Sequence, residues 1–99
     1  EPTKGAETKK LRPCIIVQGD FVNIQSRTVI VAPMLPNHKP WPFAVNLVPT
    51  SNNGLDKDRH INLKQLRAID ISRISKKQGK LEKEYLQLIK QALAIVFDL

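Results

Sequence analysis

The stretch LEKEYLQLIKQALAIVFDL, residues 81–99, decides how the rest of the chain must fold. Its apolar residues fall at Leu81, Tyr85, Leu88, Ile89, Ala92, Ile95, Val96 and Leu99. Spacings of three and four place them on one stripe of an amphipathic helix. Glu82, Lys83, Lys90 and Gln91 take the solvent side, and Gly79 marks the approach to the helix. Such a stripe has to be covered, and a sheet built from the preceding residues is the only surface on offer.

Moving back along the chain, strands are predicted at 60–66 and 69–75. Residues 49–58 carry turn chemistry, with Asn53-Gly54 the strongest turn dipeptide. In 43–48 the side chains alternate: Phe43, Val45 and Leu47 on one face, Ala44, Asn46 and Val48 on the other. Ahead of it, Pro36, Pro40 and Pro42 forbid regular ladder pairing, so 36–42 reads as a structured loop. Residues 28–34 form a further strand, with Pro33 expected at its end or at an irregular edge. Residues 13–18 are a short, continuous apolar run that suits a strand buried on both faces. Asp20 is positioned to cap a short helical turn, and residues 1–11 read as a polar arm. The expected class is α+β, mainly β, in one domain spanning 1–99.

Composition narrows the function. The 99 residues carry 16 Lys and Arg against 9 Asp and Glu, a formal charge of +7 that favours a polyanionic partner. Basic residues gather at Lys4, Lys9, Lys10 and Arg12 and again at Lys76, Lys77, Lys80 and Lys83, although a solvated face explains either cluster equally well. No apolar run approaches the ~18–20 residues that span a membrane, and no signal-peptide pattern is present, so a cytoplasmic protein is expected. The sequence opens Glu1-Pro2 without an initiator Met, as a fragment or a processed form would. The single cysteine, Cys14, fits a reducing compartment and, inside an apolar run, is expected to be a buried, inert thiol. His38 and His60 lack ligand spacing, so no metal site and no cofactor is expected. Glycine-rich phosphate loops and nucleophile elbows are absent as well. From spacing alone, Glu7 with Arg12, and Arg67 with Asp70, read first as ion pairs. Arg12 is nevertheless placed to neutralise a phosphate and a developing phosphorane charge.

In order, these motifs add up to a resemblance. Glu1-Pro2-Thr3-Lys4-Gly5-Ala6-Glu7 followed by Arg12-Pro13 is similar to the Asp-Pro-x-x-Gly-x-Glu…Arg-Pro signature of the MazF/PemK family of toxins. Pro42-Phe43-Ala44-Val45 resembles its Pro-Phe-x-Val strand, and Gln65-Leu66-Arg67-Ala68-Ile69-Asp70 its Gln-x-Arg-x-Ile-Asp segment. The resemblance implies a strongly twisted antiparallel sheet like an SH3-type barrel with a C-terminal helix. Its first strand would lie ahead of Glu1. It also implies a homodimer that cleaves single-stranded RNA without metal or ribosome, through attack of the 2′-hydroxyl to leave a 2′,3′-cyclic phosphate. A cognate antitoxin, often with an acidic segment, would be the protein partner. On this resemblance Arg12 and Glu7 are the catalytic candidates. Lys9, Lys10, Asn37, His38, Lys64 and Gln65 are the RNA-binding candidates. Two positions depart from the pattern: Leu35 stands where the family usually has a Thr or Ser, and Lys64 where many members carry an acid. Two alternative readings therefore stand beside the nuclease: a catalytically impaired binder of RNA and antitoxin, and a toxin of the gyrase-directed CcdB type.

Overall fold

The computed structural model describes residues 11–17 and 27–99. Strand β1 (Cys14–Ile16) is followed by β2 (Thr28–Pro36), β3 (Ala44–Leu47), β4 (Arg59–Asn62) and β5 (Arg67–Asp70), and the chain closes with helix α1 (Lys83–Phe97). All pairings are antiparallel. The strand order is β1-β2-β4-β3, with β5 on β2 as well.

The long strand β2 organises the sheet. It pairs with β1 over Val31–Pro33, with β5 over Thr28–Val31 and with β4 over Met34–Pro36. Pro33 was expected to end this strand or mark an irregular edge; instead the strand runs through it. The amides explain why. Met34 N–H bonds the Pro13 carbonyl and Val17 N–H the Ile30 carbonyl, so even-numbered residues of β2 face β1. Pro33 faces the other way, at the gap where β5 has ended and β4 has not begun. Its missing N–H costs no ladder bond there.

Register sorts the side chains onto two faces. One carries Val45, Leu47, Ile61, Leu63 and Ala32, all buried, with Ile15, Val17 and Met34 beside them. Helix α1 closes this face with Ile89 and Ala92, which are 5% and 2% exposed, and with the partly buried Tyr85, Leu93 and Val96. The predicted alternation therefore holds over Ala44–Leu47, with Val45 and Leu47 on the core side, whereas Phe43 stands ahead of the strand and outside the core cluster. The stripe on the helix is narrower than expected: Leu88, Ile95 and Leu99 are exposed, and Leu93 takes part instead.

Three expectations change. The first strand is not buried on both faces, because Cys14 and Ile16 point outward and only Ile15 joins the core. Cys14 is accordingly exposed rather than buried, although its neighbours desolvate the thiol enough to raise its pKa. The strands predicted at 60–66 and 69–75 each stop early and turn into a 3-10 turn, Leu63–Gln65 and Ile71–Arg73. The cause is local in both. Asn62 Oδ1 accepts from Lys64 N–H at 3.0 Å, and Asp70 Oδ1 from Ser72 N–H at 2.9 Å. A short side chain that caps the amide two residues on bends the chain out of the ladder. The Asp70 carboxyl, stabilised as the anion by those bonds, has its pKa lowered. The helical turn expected after Asp20 lies outside the described residues.

The start of α1 is tied to the turn after β3. Glu82 is its N-cap residue, yet its carboxylate makes no cap bond and instead accepts from Thr50 Oγ1 and Asn53 Nδ2. Those bonds lower its pKa, Thr50 first. Asn53 is buried and also donates to the Val48 carbonyl while accepting from Thr50 and Leu55 amides. Gly54 sits at φ +67°, where its Cβ would lie 2.4 Å from the Gln78 carbonyl oxygen; a Cβ on Gly79 would meet the Asn52 carbonyl oxygen at 2.4 Å. Both glycines are therefore required by this backbone-to-backbone approach.

Candidate functional site

The second face of the sheet is where the candidate residues meet. Pairing of β1 with β2 continues through Pro13, whose carbonyl takes the Met34 amide. Carrying the register one residue further sets Arg12 opposite Leu35. Leu35 in turn is the partner of His60, and His60 of Asn46. Leu35, His60 and Asn46 thus form one row across three strands, about 4.8 Å apart from strand to strand, and Arg12, two residues ahead of β1, continues its line. Arg12 is exposed, Leu35 half-buried and His60 buried.

The loop from Asn37 to Pro42 covers His60. Asn37 takes a left-handed conformation, φ 72°, which Asn tolerates better than most residues. Its amide bonds the Asp58 carbonyl, and its own carbonyl accepts from His60 Nδ1 at 2.7 Å. A carbonyl can only accept, so Nδ1 carries the proton. Nε2 is buried and has no hydrogen-bond partner. His38 Nε2 similarly donates to the Leu47 carbonyl at 2.8 Å, with Asp58 3.8 Å away. Asn46 holds Lys39 by both its backbone groups: Oδ1 accepts from Lys39 N–H at 2.9 Å and Nδ2 donates to the Lys39 carbonyl at 3.0 Å. Arg59 secures the far end. It grips Asp56 with two nitrogens and donates to the Met34 carbonyl at 2.9 Å, and the pair lowers the Asp56 pKa.

This clasped loop presents aromatic rings. Trp41 stacks on Phe43 with centroids 5.3 Å apart, and its ring stands perpendicular to that of His60 at 5.6 Å. Lys39 Nζ lies 5.3 Å from the Trp41 ring and Lys64 Nζ 5.5 Å from Phe43. On its other side Trp41 joins Ala44 in lining a shallow groove whose far wall is Leu88, Gln91 and Ile95 of α1.

Set against the sequence reading, Arg12 is brought into line with Leu35. Lys64 and Gln65 stand exposed on the 3-10 turn after β4, near Phe43. Asn37 and His38 contribute mainly by holding the loop, through the Asn37 backbone and the His38 ring. Glu7, Lys9 and Lys10 lie outside the described residues. Arg67 and Asp70 sit on β5, and Asp70 acts as the cap of the turn that follows. Reading the sequence missed Trp41, Phe43, Lys39 and His60 as a cluster. The signal available was a Trp and a Phe among closely spaced prolines, with Lys39 beside them; His60 and Lys64 join only through the fold. Among the described residues, no group of three His, Cys, Asp or Glu could hold a metal ion. Nor is any helix there long and apolar enough to cross a membrane.

The same fold recurs in solved structures of small toxins and endoribonucleases. It superposes on the Mycobacterium tuberculosis toxin MazF-mt6 with a TM-score of 0.80, at 22% identity, covering 89% of this chain and 87% of that one. An endoribonuclease in complex with its cognate antitoxin, from a mycobacterial species, gives a TM-score of 0.80 at 16% identity over 93% of this chain and 85% of that one. Sequence then narrows the class. The family model for the PemK-like, MazF-like toxin of type II toxin–antitoxin systems matches residues 1–97. The endoribonuclease MazF of Staphylococcus saprophyticus is 34% identical over 100 residues, 99% of this chain and 82% of that protein. The chain belongs to the PemK/MazF toxin family of type II toxin–antitoxin systems.

Proposed function

We propose that this toxin is an endoribonuclease that cuts single-stranded RNA without a metal ion or the ribosome. The observation that carries the reading is the pairing of Leu35 with His60, in line with Arg12 ahead of β1, in a chain whose relative is named an endoribonuclease. In the proposed reaction the 2′-oxygen forms a bond to the adjacent phosphorus while the bond from phosphorus to the 5′-oxygen breaks. The 2′-hydroxyl gives up its proton, and the leaving 5′-oxygen takes one. The products are a 2′,3′-cyclic phosphate and a free 5′-hydroxyl.

Arg12 is assigned to the phosphate. A guanidinium offers five donors in a fixed fork and keeps its charge throughout, so it stabilises the extra negative charge of the phosphorane. It is a poor base, and Leu35 has no group that can move a proton. Glu7 is the proposed proton acceptor. Lys9, Lys10, Asn37, His38, Lys64 and Gln65 are proposed to hold the strand, with Lys64 acting as a phosphate cation where relatives carry an acid. We further propose a homodimer and an antitoxin partner whose acidic segment competes with RNA for the basic face.

Leu35 specifically favours a second reading, in which the chain binds RNA and antitoxin but cleaves weakly. One experiment separates the two. Incubation with a long single-stranded RNA in EDTA is expected to give discrete fragments ending in cyclic phosphate. Arg12→Ala is expected to reduce the rate about 10²- to 10³-fold, and Leu35→Thr to raise it. Intact RNA with salt-dependent binding would select the second reading.

A further inference from the structure

The cluster around Trp41 has a form that the cleavage chemistry does not require. A Trp that packs a core is largely buried, but Trp41 is 39% exposed and stands on a loop clasped by His38, Asn46 and three prolines. It is fixed in place without being hidden. Its stack with Phe43 makes a flat, rigid aromatic surface with a lysine ammonium resting near each ring. An ammonium over an exposed ring is weakly held, and a phosphate oxygen is the stronger partner for it. The surface also has a definite place: His60, whose ring stands perpendicular to Trp41, is the register partner of Leu35, in line with Arg12.

We infer that Trp41 and Phe43 form a stacking subsite for one unpaired nucleobase beside the cleaved phosphodiester, with Lys39 and Lys64 taking the phosphates on either side of it. The inference deepens the proposed nuclease reading and rests on it. An aromatic face accepts any base, because every base has a π-face, while the two cations fix the path of the backbone. On binding, each ammonium moves from its ring to a phosphate and uncovers the face on which the base stacks. Trp41 and Phe43 are thereby positioning residues for the strand, and they set its register, and so which phosphodiester comes to lie at Leu35. An acidic peptide also suits lysines, but it has no flat ring to match the stacked pair.

Trp41 is the one tryptophan in the sequence, so its fluorescence reports on this surface alone. The probes are 2′-O-methyl homopolymers of A, U and C, whose blocked 2′-oxygen cannot attack, and an abasic backbone of equal length and charge. The full chain is expected to show quenching of Trp41 by the base-bearing probes and to bind them about 5- to 150-fold more tightly than the abasic one. Trp41→Leu should erase that difference, and Trp41→Phe should keep part of it. Lys39→Gln and Lys64→Gln should weaken base-bearing and abasic probes alike, each lowering the salt slope by about 0.7. Circular dichroism checks that the variants are folded.

A folded Trp41→Leu chain that still prefers base-bearing probes would overturn the inference. So would binding without quenching, or quenching by polyglutamate alone. The RNA incubation in EDTA is run in parallel. Quenching without cleavage removes the nuclease reading and keeps the subsite. Cleavage without quenching removes the subsite and keeps the nuclease. Absence of any binding to single-stranded probes removes both.

Discussion

The two faces of this sheet are closed by different physics. On one, Leu47, Ile61 and Leu63 are fully buried beneath a helix that brings Ile89 and Ala92. Nothing polar is needed to hold that contact, because removal of apolar surface from water supplies the drive. On the other, His60 and Asn62 are buried polar residues, and the cover over His60 is a proline-rich loop fastened by hydrogen bonds. Hydrophobic burial is non-directional, whereas a hydrogen bond also constrains the angle at which its groups meet. The helical face therefore provides stability, and the loop face provides placement. That division is what a binding surface requires, since its groups must be fixed while remaining accessible to solvent.

The comparison can be broken most severely from the core side. Leu47→Ala is expected to lower stability by about 2–5 kcal/mol, measured by urea unfolding, a large share of the ~5–15 kcal/mol typical of a small domain. If the loss is under about 1 kcal/mol, the helix is not the element that seals that face. On the other face, His60→Ala should cost about 1–3 kcal/mol, as the Asn37 carbonyl loses its donor. It should also red-shift Trp41 emission as the ring loses its edge contact. His60→Asn can return a donor to the same carbonyl and should recover part of the loss; equal losses in both variants would mean that volume, not the bond, matters. Asn46→Ala comes next, at about 1 kcal/mol, with faster hydrogen exchange at the Lys39 amide as the more telling readout.

The smallest effect is a pH dependence where the helix joins the turn. The Glu82 pKa is lowered in the folded chain, so its contribution is present above the unfolded value and is lost as pH falls through the folded one. Thermal unfolding followed below the ordinary glutamate value of 4.5 should show wild type losing stability faster than Glu82→Gln. Parallel curves would show that the carboxylate does not matter there.

The helix, the strand positions and the core side of β3 were legible because burial itself generates the periodicity. The run at Cys14 misled for the same reason: an apolar run records composition, not which neighbours arrive to cover it. Asn62 and Asp70 ended their strands through a bond to the amide two residues on, a signal that a strand pattern overrides unless each Asn and Asp is checked as a cap. At the site, Arg12 was singled out by its motif and Leu35 by its departure from it. The Trp41 cluster was legible only as a Trp and a Phe among prolines; its place beside the site depends on Leu35, His60 and Asn46 arriving in one row from three strands, and no local spacing encodes register.

Gly54 and Gly79 give the junction one more consequence, this time for which sequences the fold can accept. Each stands where a side chain would run into the backbone of the opposite segment, so no compensating change in a neighbouring side chain can make room. A random library at the two positions, screened for folded chains, should return glycine at both. The loops around the site can vary in composition as long as their clasps survive, whereas this junction admits no such exchange. Diversity in the recognition surface and invariance at the helix entry are thus built into the same small chain.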